Sequence, residues 1–197
     1  MYLGCCLPTG AGIVLNNLKN FGNNGNICIY GVGGVGVWSL LTCLYLKKKY
    51  ITVIESSEKK ISKLKKIIKN KNIKYLPSSK YVKNTFDVVF ETTGSISALQ
   101  NSIGIINNKG SVIFASHPKK GKTIKIDPFE LIKGKKIFGS WGGSINFKKD
   151  LFILEKILKK NILISRKIFK DIYSLENINE AIFKTKKSQI FRAIIKM

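Results

Sequence analysis

Arginine, histidine and acidic residues are scarce in this chain, although its formal net charge is +24 over 197 residues. Arg166 and Arg192 are its two arginines, and the remaining positive charge comes from lysines spread along the chain. Base readout and bidentate phosphate contacts favour arginine, so the composition argues against a nucleic-acid-binding protein. We expect non-specific attraction to polyanions from the net charge, and no specific nucleic-acid partner.

The chain also lacks an apolar run as long as a membrane span, and a basic segment followed by an apolar core at its N-terminus. Its four cysteines, at positions 5, 6, 28 and 43, have no spacing typical of a disulfide framework or of a complete zinc site. We therefore expect a cytoplasmic protein with no membrane partner. The length suits one α/β domain, alone or with part of another.

A glycine-rich turn is the most informative segment that is present. The apolar run 27–30 leads directly into Gly31-Val32-Gly33-Gly34-Val35-Gly36. In such a G-x-G-x-x-G turn, the first glycine permits a sharp turn, the second lets the backbone approach a pyrophosphate, and the third lets helix and strand pack closely. The helix that starts there offers free N–H groups to the phosphates, so the turn predicts a dinucleotide site.

An acidic residue supports this interpretation. The next apolar run ends on Glu55, and dinucleotide sites carry an acid about 20 residues after the turn. The alternative is a glycine turn that only packs a helix on a sheet. That alternative leaves Glu55 unexplained.

Strands alternate with helices along the chain. Strands are predicted at 27–30, 50–55, 73–76, 86–91, 110–115 and 136–140. Helices are predicted at 9–21 with a stop at 21–25, at 35–46, 57–69 and 149–160, and after Gly94. The tail is predicted as strand 167–173, helix 175–186 and strand 189–195. This alternation favours the α/β class, as a Rossmann doubly wound parallel six-stranded sheet that binds its ligand beyond the carboxyl ends of the strands.

Five motifs carry a family resemblance: 4–10, 31–36, 86–94, 135–143, and the pair 178–181 and 191–193. Their order and residues resemble the cofactor-binding half of the medium-chain dehydrogenase/reductase family, the zinc-type alcohol dehydrogenases. The resemblance runs from Leu3 to Ile195. It implies an oxidoreductase that transfers a hydride between a small-molecule alcohol or aldehyde and NAD.

The resemblance implies roles for individual residues. Glu55 is expected to accept hydrogen bonds from the adenosine ribose hydroxyls; its charge would repel a 2′-phosphate, which favours NAD over NADP. Arg192 is expected to contact the pyrophosphate, while Ala115 and Ser116 pass beside the nicotinamide. The full set of implied cofactor-binding residues is Thr9, Gly31, Gly33, Gly34, Val35, Gly36, Glu55, Lys60, Thr92, Ala115, Ser116 and Arg192.

Two of these roles, and the role of the single histidine, have alternatives. Lys60 matches a lysine near the same ribose, but its helix is rich in lysine and a solvated role is open. Arg192 is alternatively a surface residue of the last strand. His117 is a proton relay or, as its place before Pro118 favours, a turn residue without a catalytic role.

The implied zinc site is incomplete. Cys5 matches a ligand of the family's catalytic zinc, and such sites use three protein ligands. The other family ligands belong to a domain that this sequence lacks, so we predict no catalytic residues. Residues 1–163 are expected to form the NAD-binding Rossmann domain. Residues 164–197 are expected to be a returning segment of an incomplete catalytic domain, with an apolar patch exposed where its packing partner is missing.

Three functional hypotheses follow. The first is the NAD-binding portion of a zinc-dependent alcohol dehydrogenase, incomplete on its own through truncation, a split gene or an internal start. The second is a non-catalytic NAD-binding module or one subunit of a split dehydrogenase. The third is a basic nucleic-acid-binding protein with an incidental Rossmann fold. The expected protein partner is a second copy, paired through the sheet edge at 137–141, or a complementing catalytic domain.

Overall fold

A single parallel sheet organises the chain in the computed structural model, which describes residues 2–18, 24–80 and 85–196. Its strands are β1 (Asn26–Tyr30), β2 (Tyr50–Glu55), β3 (Ile73–Pro77), β4 (Phe86–Glu91), β5 (Ile106–Phe114) and β6 (Lys136–Gly139). They pair in the order β3-β2-β1-β4-β5-β6, and all five pairings are parallel. The predicted Rossmann doubly wound six-stranded sheet is confirmed.

Helices cover both faces of this sheet. They are α1 (Cys6–Asn17), α2 (Gly34–Tyr45), α3 (Glu58–Ile67), α4 (Ile96–Ile105), α5 (Pro128–Ile132), α6 (Phe147–Ile168) and α7 (Ile178–Lys186). Short 3₁₀ turns lie at Tyr2–Gly4, Gly142–Ser144 and Leu175–Asn177. No described helix is long and apolar enough to cross a membrane.

The two faces of β1 belong to two separate apolar clusters. Ile27 and Ile29 pack in the cluster that includes residues of α1, α2 and α6, while Cys28 and Tyr30 pack in the cluster that includes residues of α4. Successive side chains of a strand point to opposite faces, so a strand buried on both sides is apolar throughout. This burial explains why β1 reads as a continuous apolar run.

The tail differs from its prediction. The predicted strand 167–173 is wrong at its start, because α6 continues to Ile168. The buried residues of α6 recur at helical spacing up to this end of the helix: Leu154, Ile157, Asn161, Ser165 and Ile168. The strands of the tail are β7 (Ile172–Ser174) and β8 (Ile194–Lys196), which pair in parallel as a separate two-stranded sheet. The expected domain boundary at 163–164 thus lies inside a continuous helix.

Other boundaries shift by less. α1 begins at Cys6 rather than at residue 9, and the predicted stop at 21–25 lies partly outside the described residues. β5 begins earlier than predicted, at Ile106, and helix α5 was not predicted. The sheet strands β2 and β4 have their predicted bounds.

Candidate functional site

The glycine turn joins β1 to α2 at the carboxyl edge of the sheet. Gly31 has a φ of +89°, a region that favours glycine, and its N–H donates to the Ile54 carbonyl at 2.8 Å. A Cβ on Gly36 would lie 1.9 Å from the Gly31 oxygen, so this position requires glycine. A Cβ on Gly33 would meet nothing within 4 Å, and Gly33 is the N-cap of α2. The space beside the first turn of α2 is therefore open for a phosphate group.

Glu55 ties β2 to this turn. Its carboxylate is buried and accepts hydrogen bonds from the Val32 N–H at 2.9 Å, the Ser57 N–H at 2.9 Å and the Ser56 hydroxyl at 3.0 Å. An ionised carboxylate has about four acceptor positions. With three of them used, capacity for a ligand hydroxyl remains.

A cavity of about 340 Å³ opens beside Glu55, between the ends of β2 and β4. Most of the side chains around it are small or polar. The lining residues are Tyr30, Gly31, Ile54, Glu55, Ser56, Ser78, Thr93, Ser95, Ser97, Ala98 and Asn101. The cavity lies where the adenosine half of a dinucleotide is expected in a sheet of this strand order.

The loops that follow β4 and β5 meet at Glu91, which was not predicted as a site residue. Glu91 is fully buried, and its carboxylate accepts from the Thr93 N–H at 2.6 Å, from the Thr93 hydroxyl and from the Ser116 hydroxyl. Thr92 contacts the glycine turn instead, since its hydroxyl donates to the Gly31 carbonyl at 2.8 Å. The structure thus brings Thr92 to the turn, and Ser116 to the end of β4.

Arg192 reaches the glycine turn from the distant end of the chain. A Cβ on Gly34 would lie 3.1 Å from Arg192 Cδ and 2.9 Å from Cys6 Sγ. Cys6 is buried, and burial raises the pKa of its thiol above the usual value, although the nearby positive charge of Arg192 partly offsets this rise. Arg192 itself is exposed, so its guanidinium is accessible beside the space expected for the pyrophosphate. The position of Cys6 beside Gly34 and Arg192 was not predicted from the sequence.

Lys60 does not lie on the solvated face of its helix. It is 6% exposed, and its Nζ lies 5.9 Å from the centre of the Phe191 ring. Burial lowers the pKa of Lys60, and the nearby Glu55 carboxylate raises it. Lys60 is therefore packed between the acidic end of β2 and the tail, which leaves its ribose role open as a prediction.

The remaining expected residues lie further along the carboxyl edge. Ala115 is buried after β5. Thr9 is buried in α1 against the turn at Gly143, where an added Cβ would lie 2.7 Å from the Thr9 carbonyl oxygen. His117 is exposed and packs edge-on against Trp141, with ring centres 5.0 Å apart. The cofactor roles of these residues stay predictions.

The residues present do not fit a zinc ion. Cys5 is exposed, and the described part of the chain contains no group of three or more His, Cys, Asp or Glu side chains that would hold a metal. A catalytic zinc needs about three protein ligands. Cys5 supplies one, so no chemical step can be assigned to zinc in this chain.

The chain is similar in sequence to known dehydrogenases. Residues 34–156 match the family model described as zinc-binding dehydrogenase. The chain is 24% identical over 203 residues to alcohol dehydrogenase class-3 from Pisum sativum, covering 98% of this chain and 53% of that protein. It spans about half the length of the curated relatives it matches.

Solved structures share the fold. Benzyl alcohol dehydrogenase from Acinetobacter calcoaceticus has a TM-score of 0.85 at 24% identity, covering 99% of this chain and 55% of that one. A zinc-binding dehydrogenase from Sinorhizobium meliloti, bound to NADP, has a TM-score of 0.72 at 17% identity, covering 90% and 54%. At these identities the likeness establishes the fold alone.

Proposed function

The chain belongs to the zinc-binding dehydrogenase family, and from that premise we propose that it holds NAD for hydride transfer between a small-molecule alcohol or aldehyde and the nicotinamide ring. The observation that carries the proposal is the buried Glu55 carboxylate. It is fixed to the glycine turn through the Val32 N–H and borders a cavity of about 340 Å³.

NAD fits the donors and acceptors around this edge. The N-terminus of α2 and the Arg192 guanidinium would hold the pyrophosphate, because both favour an anion. Glu55 would accept from the ribose hydroxyls and repel a 2′-phosphate, so we propose NAD rather than NADP. When bound, the nicotinamide supplies hydride acceptance and donation.

We further propose that the chain is catalytically incomplete on its own. It covers about half of its relatives, and its described residues offer one cysteine where a catalytic zinc needs a full ligand set. A complementing catalytic domain would supply the substrate pocket and the metal. One subunit of a split dehydrogenase, or a non-catalytic NAD-binding module, is the second candidate, and the lack of a full metal-ligand set among the described residues supports it equally.

Two exposed apolar surfaces support the proposed partners. The tail surface consists of Ile172, Leu175, Ile178, Ile182 and Phe183, and it suits a complementing domain. The edge surface consists of Phe138 on β6 and Trp141 after it, which is 84% exposed, and it suits a second copy of the chain. We propose that the protein acts in the cytoplasm.

Titration with NADH, followed by nicotinamide fluorescence, tests cofactor binding. We expect saturable binding that survives an excess of unrelated duplex DNA. Absence of saturation, or equal displacement by DNA, would refute the dinucleotide function and favour a polyanion-binding protein.

A second assay separates a complete enzyme from a part of one. We expect no alcohol-dependent NADH production from the chain alone, with benzyl alcohol or a short primary alcohol and added zinc. Turnover under these conditions would overturn the proposed incompleteness while leaving cofactor binding intact.

A further inference from the structure

Glu91 ends β4 at the switch point of the sheet, where the strand order reverses between β1 and β4. Its side chain is fully buried, and it is not among the residues expected to contact the cofactor. A buried carboxylate costs free energy unless hydrogen bonds satisfy it, so its presence calls for a structural or functional reason.

The donors to Glu91 come from two different loops. Thr93, just after β4, donates its N–H at 2.6 Å and also its hydroxyl. Ser116, just after β5, donates its hydroxyl at 2.5 Å. The Glu91 carbonyl also accepts from the Ala115 N–H at 3.2 Å. One residue therefore joins the loop ends of two neighbouring strands.

These hydrogen bonds resist separation of the two loops. Three neutral donors hold the carboxylate, and moving the Ser116 loop away would leave a buried charge with less compensation. Hydrogen bonds to an ionised group are stronger than those between neutral groups. The Ser116 loop is thus held against β4 more firmly than its backbone pairing alone would hold it.

The two loops serve opposite halves of the expected ligand. In a sheet of this order a dinucleotide lies across the switch point, with one nucleotide on each side. Thr93 lines the cavity beside Glu55, on the adenosine side. Ser116 follows β5, on the opposite side of β4 from Glu55. Glu91 accordingly connects the wall of one half to the loop of the other.

We propose that Glu91 is a positioning residue, which fixes the Ser116 loop in place for the nicotinamide half of the dinucleotide. The inference rests on the proposed NAD function. It assigns Glu91 no contact with the ligand; Glu91 acts through Ser116. Thr93 lies two residues from Glu91 in the chain, and its hydroxyl also accepts from the Ser95 N–H at 3.0 Å, whereas Ser116 is 25 residues from Glu91. Loss of Glu91 should therefore displace Ser116 more than Thr93, and weaken binding of the nicotinamide half more than binding of the adenosine half.

Calorimetric titration with NADH and with ADP-ribose, which lacks the nicotinamide, tests this. In Glu91→Ala we expect the Kd for NADH to rise roughly tenfold more than the Kd for ADP-ribose, as one lost charge-assisted hydrogen bond predicts. Glu91→Gln should restore most of the difference, since its amide can accept from Thr93 and donate to the Ser116 hydroxyl. Equal weakening for both ligands would overturn the proposal.

A matched control lies at the other end of the same strand. The Asp87 carboxylate accepts from the Asn26 N–H at 2.8 Å and from Asn107 Nδ2 at 2.9 Å, away from the ligand edge. Asp87→Asn should lower stability without changing the ratio of the two Kd values. A changed ratio in this variant would show that the effect is general destabilisation, against the proposal.

If Glu91→Ala does not fold, Ser116→Ala tests whether the hydrogen bond between Ser116 and Glu91 positions the Ser116 loop. Hydrogen exchange at residues 115–117 in the ligand-free protein separates positioning from direct contact. We expect faster exchange there in Ser116→Ala and unchanged exchange in Asp87→Asn; unchanged exchange in both would overturn the proposal. Failure of the wild type to bind ADP-ribose would instead refute the NAD function itself.

Discussion

The Glu55 carboxylate accepts a hydrogen bond from the Val32 N–H at 2.9 Å, which joins the end of β2 to the middle of the glycine turn. The same side chain that is expected to recognise ribose therefore also shapes the phosphate-binding backbone. A substitution of Glu55 should therefore change dinucleotide affinity in two ways. The loss of the contact with Val32 should affect all dinucleotides, and the loss of the ribose contact should depend on whether the ribose carries a 2′-phosphate.

Glu55→Ala should weaken the binding of NADH much more than the binding of NADPH. Loss of the hydrogen bond with Val32 should raise the Kd of both coenzymes equally. Loss of the ribose contact should raise the Kd of NADH alone, and loss of the repulsion between Glu55 and the 2′-phosphate should lower the Kd of NADPH. We expect the NADH Kd to rise about tenfold or more, from one charge-assisted hydrogen bond. Fluorescence titration with both coenzymes measures this, and Glu58→Ala, an exposed acid at the start of α3, is the control. Equal weakening of both coenzymes would show that Glu55 does not read the ribose.

Gly33→Ala and Gly36→Ala should separate binding from folding. An added Cβ at Gly33 meets no protein atom and Gly33 has a negative φ, so the variant should unfold like the wild type and yet bind NADH poorly. At Gly36 the Cβ would lie 1.9 Å from the Gly31 oxygen, so α2 must move and stability should fall by about 1–3 kcal/mol. Urea unfolding and NADH titration on both variants check this. Full NADH affinity in Gly33→Ala would place the pyrophosphate elsewhere.

Arg192→Ala should weaken the binding of ligands that carry a pyrophosphate and leave the binding of other ligands unchanged. Arg192 Cδ lies 3.1 Å from a Cβ placed on Gly34, beside the N-terminus of α2. We expect the Kd for ADP to rise about tenfold and the Kd for adenosine to stay constant. Arg166→Ala is the matched control, because Arg166 is the other arginine and is exposed on α6. A parallel loss for adenosine would assign Arg192 a structural role only.

The sequence predicted the sheet well because its strands are short segments rich in β-branched and aromatic residues between turn residues. β2 and β4 have their predicted bounds for this reason. Segment 167–173 was misassigned because a short apolar stretch fits a strand or the end of a helix equally, and contacts of Ile168 with the core favour the helix.

The proximity of Glu55 to the glycine turn could be predicted because the spacing of the two is local and has a steric meaning. The contacts of Glu91 could not be predicted, because its partner Ser116 is distant in the chain and lies beside it only when β4 and β5 pair. Cys6 was missed for the same reason, since its partner Arg192 lies at the opposite end of the sequence. Side-chain partners that depend on tertiary pairing leave no periodic signal.

Glu130 should make stability depend on acid pH. Lys133 and Lys135 lie 2.8 Å and 2.6 Å from its carboxylate and lower its pKa from 4.5 to about 2. Lys135 is buried and also donates to the Ile103 carbonyl at 2.9 Å, so Glu130 compensates a buried charge that joins α5 to α4. A carboxyl with a lowered folded pKa contributes stability above its unfolded pKa, and that contribution is lost as the pH falls toward 2.

Glu130→Gln should therefore cost stability at pH 6 and progressively less as the pH is lowered from 4.5 toward 2. Urea unfolding of wild type and variant across this range measures the difference. Glu155→Gln is the control, because Glu155 pairs with Lys159 on an exposed helix face, where such pairs contribute little. A Glu130→Gln cost that stays constant down to pH 2 would mean that the ion pair with Lys135 does not stabilise the fold, and that packing around α5 does.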